Sequence, residues 1–337
     1  MTPPGAGDGP APPGAGLPTV AAVIDVGSNS VLLLTVAVEG SGRGRAIDEA
    51  LATTRLGAGL ARGGRLDAAA RARTQEAVVA FAARARESGA TRVWACGTAA
   101  MREAADGPVF ARDLEVAAGV PVEVLSGESE ARLAYAAVAH GLDVEHGATL
   151  VADVGGRTTE LTLGRGERIS AAESLPLGAL ALTEASLRGD PPAPAAVQRL
   201  VDHVDGALAA SAVPRRAAGE VARLVASGGT ATALAALDLG LMDYDGRRVH
   251  GHVLTRDTLD CLAQRLLALS AAARSSLAGL DPGRAAILPA GTIVLGRIAA
   301  ATGAATLTVS DHGVRHAYLR AHLVATGNGA HFRALWA

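Results

Sequence analysis

One short pattern occurs twice in this chain and limits its fold more than any other feature. An apolar run at residues 20–24 ends in Asp25-Val-Gly-Ser-Asn-Ser-Val31, and a second apolar run follows through residue 38. Another apolar run, at residues 148–152, ends in Asp153-Val-Gly-Gly-Arg-Thr-Thr-Glu160 and passes into the apolar segment 161–163. Each copy reads as strand, tight polar turn, strand. The two aspartates stand 153 − 25 = 128 positions apart. Recurrence of the whole context, rather than of one tripeptide, predicts two similar α/β halves. A carboxylate at a strand end, beside glycine and short hydroxyl or amide side chains, leaves backbone N–H groups free to cradle an anionic oxygen. Gly, Ser and Asn are also ordinary turn residues, so the remainder of the chain has to decide. Facing loops of this kind predict a phosphate chain held between the halves, with Asp25 and Asp153 near a shared Mg²⁺.

Other segments place small or charged residues at strand ends in the same manner. Residues 67–87 carry apolar positions at helical spacing, which predicts an amphipathic helix ended by Gly89. The strand at 91–96 runs into Gly97-Thr-Ala-Ala-Met-Arg102, and the spacing predicts one helix over 99–118 with Arg102 in its first turn, suited to an anion. A strand at 121–125 precedes Ser126-Gly-Glu-Ser-Glu-Ala-Arg132, which opens a helix with Glu128 and Glu130 in its first turn. That position favours ionised carboxylates, one of which would orient and activate a water molecule. Residues 174–179 read as a turn. After a strand at 221–226, Ser227-Gly-Gly-Thr230 delivers a third glycine turn, through Gly228 and Gly229, to a helix start. The last strand ends in Asp311-His-Gly-Val-Arg315, with a closing helix to about residue 323. His250 and His252 lack metal-site spacing and read as structural or surface residues.

Composition removes several alternatives. With 337 residues and 49% hydrophobic content, the chain is long enough for two domains with substantial cores. The formal net charge of -2 gives no global field towards nucleic acid or a membrane surface, so an anion must be bound by local groups. The sequence contains no lysine, which excludes a Walker A loop and leaves arginine as the permanent cation. Arg55, in a glycine-containing loop, is one candidate. Cys96 and Cys261 are the only cysteines, too few for a disulfide framework, and fit a reducing cytoplasm. Residues 1–19, rich in Pro, Gly and Ala without a basic residue or apolar core, predict a disordered tail rather than a signal peptide. No apolar run approaches the roughly 20 residues that span a bilayer.

Taken in order, the motifs at 25–31, 97–102, 126–132, 153–160, 227–230, Arg284-Ala285 and 310–315 resemble the exopolyphosphatase and guanosine pentaphosphate phosphatase family. The resemblance covers about residues 20–323 and implies a duplicated ribonuclease-H-like fold of the actin-like ATPase superfamily, with the active site in the interdomain cleft. It places an actin-like domain over 20–143, a second over 144–325 and a tail over 326–337, the short two-domain form without a C-terminal metal-phosphohydrolase-like domain. It implies Glu130 as base for the attacking water, Asp25 and Asp153 as metal residues, and Mg²⁺ as cofactor. Arg102, Gly27, Ser28, Asn29, Ser30, Gly155, Gly156, Arg157, Thr158, Gly228 and Gly229 become phosphate-binding candidates. The implied substrates are inorganic polyphosphate or guanosine pentaphosphate, with a homodimer as a plausible assembly. Arg157 stands where the family usually has a third glycine, Asp106 where asparagine is common, Leu32 where a polar or basic residue often follows, and Ala286 where aspartate is usual. Two readings of other kinds stay open: a non-catalytic nucleotide or polyphosphate sensor, and an actin-fold sugar kinase.

Overall fold

A computed structural model describes residues 19–39, 44–61, 63–142, 144 and 146–325. The tails expected at 1–19 and 326–337 lie outside these residues, except Thr19, which begins the first strand. The first half runs β1 (Thr19–Val26), β2 (Ser30–Val38), β3 (Gly44–Thr53), α1 (Ala68–Glu87), β4 (Arg92–Gly97), α2 (Ala99–Glu103), α3 (Gly107–Ala118), β5 (Val122–Val124) and α4 (Gly127–Gly141). The second half begins β6 (Ala148–Val154), β7 (Thr159–Arg165), β8 (Arg168–Leu175), α5 (Ala179–Ser186), α6 (Pro194–Ala210), α7 (Ala212–Ala217), β9 (Val221–Ser227) and α8 (Gly228–Asp238). It closes with α9 (Gly246–Val249), β10 (Val253–Thr255), α10 (Arg256–Ala268), α11 (Ala271–Ser275), α12 (Leu288–Thr302), β11 (Thr306–Val309) and α13 (Val314–Leu323).

The duplication is visible in the strand order. One sheet reads β3-β2-β1-β4-β5 and the other β8-β7-β6-β9-β11-β10. The antiparallel meander β1–β2–β3 corresponds to β6–β7–β8, and parallel β4 corresponds to parallel β9. Both faces of β1 are covered: Ala22, Ile24 and Val26 pack with α1 and α3 residues, whereas Ala21 and Val23 pack with Val314, Tyr318, Leu319 and Leu323 of α13. Burial on two faces is why the strand reads as a continuous apolar run. Strand β6 is built likewise, with Leu150, Ala152 and Val154 in the main core and Val151 against Tyr135 and Val138 of α4. Helix α4 thus packs on β7 and β8 of the second sheet, while α13, from the chain's far end, returns to β1 and contacts α4. The Thr162 hydroxyl donates to the Ala131 carbonyl at 3.0 Å within that packing. Among the described residues no helix is long and apolar enough to cross a membrane.

Two expectations change. The single helix predicted over 99–118 is two helices, broken at residues 104–106. Asp106 is drawn out of the helix by the Leu66 N–H at 2.9 Å and Arg71 at 3.1 Å. Gly107 sits so close to the Met101 carbonyl oxygen that an added Cβ would lie 1.8 Å from it, and Pro108 then starts α3 in the first turn. Ser174 and Leu175, expected in a turn, instead end β8, where Ser174 pairs with Glu160 across the ladder.

Candidate active site

The two Asp-Val-Gly turns close identically. Gly27 N–H donates to the Ser30 carbonyl at 3.0 Å, and Gly155 N–H to the Thr158 carbonyl at 2.9 Å. The turns touch: a Cβ on Gly156 would lie 3.0 Å from Ser28 Cβ and 3.3 Å from the Asn29 nitrogen. Beside this junction is a cavity of about 440 Å³. Asp25, Gly27, Ser28, Asn29, Ser30, Glu130, Asp153, Gly155, Gly156, Thr158, Gly228 and Gly229 all line it, whereas Arg102 and Arg157 do not. Gly228 has φ +81°, and a Cβ there would meet Asp153 Oδ1 at 2.3 Å. Conformation and space both demand glycine at this helix start.

Both aspartates are buried strand-end carboxyls. Burial pushes Asp25 up to about 7, Arg315 opposes it, and the charge of Asp153 adds to it. Burial likewise pushes Asp153 up to about 6. Asp25 Oδ1 is buried without a hydrogen-bond partner. Among the described residues no three His, Cys, Asp or Glu side chains form a metal-binding group by themselves. The two aspartates nevertheless suit a hard divalent cation, which takes one or two carboxylates and completes its shell with water and substrate phosphates. Such a cation would relieve the unpaired Asp25 oxygen and the cost of ionising two buried carboxyls.

Glu130 lies in the first turn of α4, which Ser126 caps by accepting the Ser129 N–H at 3.0 Å. Its side chain is only 10% exposed and accepts from Arg102 Nη1 at 2.8 Å. Burial, then the charge of Glu160, raise its pKa well above the ordinary carboxyl range, with Arg102 pulling it back. The helix start was expected to keep this carboxyl ionised; burial and neighbouring carboxylates outweigh it. Glu128, two residues earlier in the same turn, is exposed and paired with Arg132 at 2.9 Å.

Two of the three arginines read from the sequence as phosphate candidates, Arg102 and Arg157, have other partners. Arg102 donates to Glu130 and to the Leu125 carbonyl. Arg157 donates to Glu103 Oε2 at 2.7 Å and to the Gly57 carbonyl at 3.1 Å. Arg55, at φ +53°, is exposed and outside the cavity lining. Among the described residues the cations lining the cavity are Arg284 and Arg315, which lie in quoted motifs but were not singled out. Arg284 presses on Gly229 at the start of α8, where a Cβ would lie 1.4 Å from Nη1. Arg315 donates to Glu49 at 3.0 Å, and its Nε is buried without a partner. Glu160 was also missed. It is buried, accepts from Ser174 Oγ at 2.7 Å, and is pushed by burial, then by Asp153, up to about 7. Asp311 lines the cavity and accepts from the Tyr244 hydroxyl.

Residues 35–324 match the sequence profile of the Ppx/GppA phosphatase family. The chain belongs to this family. Exopolyphosphatase 2 of Mycobacterium tuberculosis is 34% identical over 314 residues, covering 88% of this chain and 96% of the relative. Exopolyphosphatase 1 of Mycobacterium leprae is 30% identical over 307 residues, covering 91% and 90%. Among solved structures, the Ppx/GppA family member of Aquifex aeolicus superposes with a TM-score of 0.77 at 30% identity, covering 92% of this chain and 99% of that one. An exopolyphosphatase from Cytophaga hutchinsonii superposes with a TM-score of 0.84 at 21% identity, covering 93% and 100%, and shows the shared fold. Ppx/GppA membership and the paired sheets establish the duplicated actin-like fold for this chain, and the family makes it a hydrolase of phosphoanhydride bonds.

Proposed function

We propose that this Ppx/GppA protein is an exopolyphosphatase that removes the terminal phosphate of inorganic polyphosphate. The observation carrying the proposal is Glu130, a buried carboxyl of raised basicity, in the same cavity as Arg284, Arg315, the α8 helix start and two buried aspartates. The names of the relatives supply the polymer as substrate. The terminal phosphate is taken to lie against the turns 27–30 and 155–158, with Gly228 and Gly229 presenting the positive end of α8 to it. Arg284 and Arg315 neutralise the phosphoryl oxygens. Ionised Glu130 accepts a proton from water as the water oxygen bonds to the terminal phosphorus; the bridging P–O bond breaks and its oxygen leaves on the shortened chain with the electron pair. Asp25 and Asp153 would hold Mg²⁺, which when bound neutralises further phosphoryl charge. Free Cys96 and Cys261 fit a reducing compartment, the cytoplasm.

The test is orthophosphate release from long-chain polyphosphate and guanosine pentaphosphate in competition, with and without chelator. Release from polyphosphate, lost on chelation and restored by Mg²⁺, is expected. Release from guanosine pentaphosphate alone would overturn the substrate, and undiminished release in excess chelator would overturn the metal.

A further inference from the structure

Two consecutive residues of opposite charge at the end of α2 reach two different elements, α4 and the first turn of the second half. Arg102 Nη1 donates to Glu130 on α4, the helix packed on β7 and β8, at 2.8 Å. Glu103 Oε2 accepts from Arg157, in the turn between β6 and β7, at 2.7 Å. The Arg157 side chain is only 10% exposed, and its stem lies against Gly57, where a Cβ would come 2.9 Å from Arg157 Cδ and 2.9 Å from Ser28 Cβ. Gly57 is shared between the two phosphate turns: its N–H donates to the Ser28 carbonyl at 2.8 Å, and its carbonyl accepts from Arg157 at 3.1 Å. The Arg157 backbone is held as firmly, since its carbonyl accepts the Gly178 N–H at 3.0 Å and a Cβ on Gly178 would lie 2.1 Å from it.

We infer that Arg157 is a positioning residue that pins the second phosphate turn to Glu103 and Gly57 of the first half and, through the adjoining Arg102, fixes Glu130 against the bound phosphate. The inference rests on Glu130 acting as the base. Arg157 Nε and Nη1 are held by Glu103 and the Gly57 carbonyl, and the residue lies outside the cavity lining, so its geometry suits a tie between the halves rather than a phosphate ligand. It also explains how a large side chain fits in a glycine turn: the stem fills the space above Gly57 instead of entering the cavity. Releasing the fork leaves Glu103 without its partner and lets the end of α2 move, which weakens the neighbouring Arg102–Glu130 contact. Of the charges acting on Glu130, Glu160 and Asp153 would then be opposed less by Arg102.

The experiment uses Arg157→Met, which keeps the stem, and Glu103→Gln, with Arg297→Met as control. Arg297 forms a two-bond ion pair with Asp205 at 2.6 and 2.7 Å away from the cavity. In Arg157→Met and Glu103→Gln, kcat on polyphosphate is expected to fall about 10- to 100-fold, the scale of a small misplacement of a reacting group, with KM changed by less than about threefold. The acidic limb of kcat/KM is expected to move to higher pH, and Arg297→Met to leave all three unchanged. Hydrogen exchange in peptides covering 54–60 and 155–158 is expected to quicken in Arg157→Met only relative to the control. A rise in KM alone would overturn the inference in favour of a phosphate contact. Faster exchange with kcat and the pH limb unchanged would reduce Arg157 to a structural tie, and unchanged exchange would refute the pin itself. A wild-type protein that releases no phosphate would instead overturn the proposed function, while the exchange arm would still decide the pin.

Discussion

Asp25→Asn should make the metal-free protein more stable while removing its activity, and the gain should depend on pH in a defined way. Asp25 is buried, with one oxygen lacking a partner, and titrates at about 7 instead of 3.8. At about 1.4 kcal/mol per tenfold change in acidity, this difference of roughly 3 pH units makes ionisation in the folded protein costlier by about 4 kcal/mol. The raised folded-state pKa means that the native protein holds more protons than the unfolded chain between about pH 4 and 7. Stability from the protonated carboxyl is therefore full below about pH 4, declines as pH rises, and is lost above about 7. Asparagine cannot ionise, so its advantage over wild type should be near zero at pH 4 and approach about 4 kcal/mol at pH 8. Urea unfolding in chelator across that range measures the difference. Added Mg²⁺ should narrow it above pH 7 by stabilising wild type alone. A variant tracking wild type at every pH, or gaining most at low pH, would refute the assignment of Asp25 as a buried carboxyl held for a cation.

Glu130→Gln keeps shape and helix but removes the proton acceptor, so hydrolysis should fall by about 10²–10⁴-fold while polyphosphate still raises the thermal midpoint; near-wild-type turnover would sink its role as base. Glu128→Gln, on the exposed partner of Arg132, should leave turnover unchanged. Gly228→Ala forces a side chain into φ +81° and towards Asp153 Oδ1, so turnover should be nearly abolished and Mg²⁺ should stabilise the variant less than wild type; normal turnover would show that the α8 start adapts.

The repeated turns were legible because each closes within four residues and joins strands buried on both faces, so local pattern and tertiary position coincide. Glu130 was legible for a related reason: Ser126 and the acidic first turn mark a helix start without reference to the rest of the chain. Its raised pKa was not, since this comes from burial and from Glu160 on another element. The break between α2 and α3 depends on Asp106 meeting Leu66 and Arg71, 40 and 35 positions away. Arg102 and Arg157 read as phosphate candidates because arginine beside a glycine turn has no local partner; the carboxylates with which they pair lie 28 and 54 positions distant and left no mark near them. Arg315 reaches the cavity because α13 returns to the first sheet, and a connection of that length leaves no local mark.

The most direct measurement follows polyphosphate cleavage in ¹⁸O-labelled water with Mg²⁺ present. Attack of water on the terminal phosphorus, with Glu130 taking the proton, places one ¹⁸O in each released orthophosphate and none in the shortened chain, and Glu130→Gln removes the labelled product. Label in the remaining chain end, transfer of phosphate without label, or equal labelling by Glu130→Gln would contradict the account.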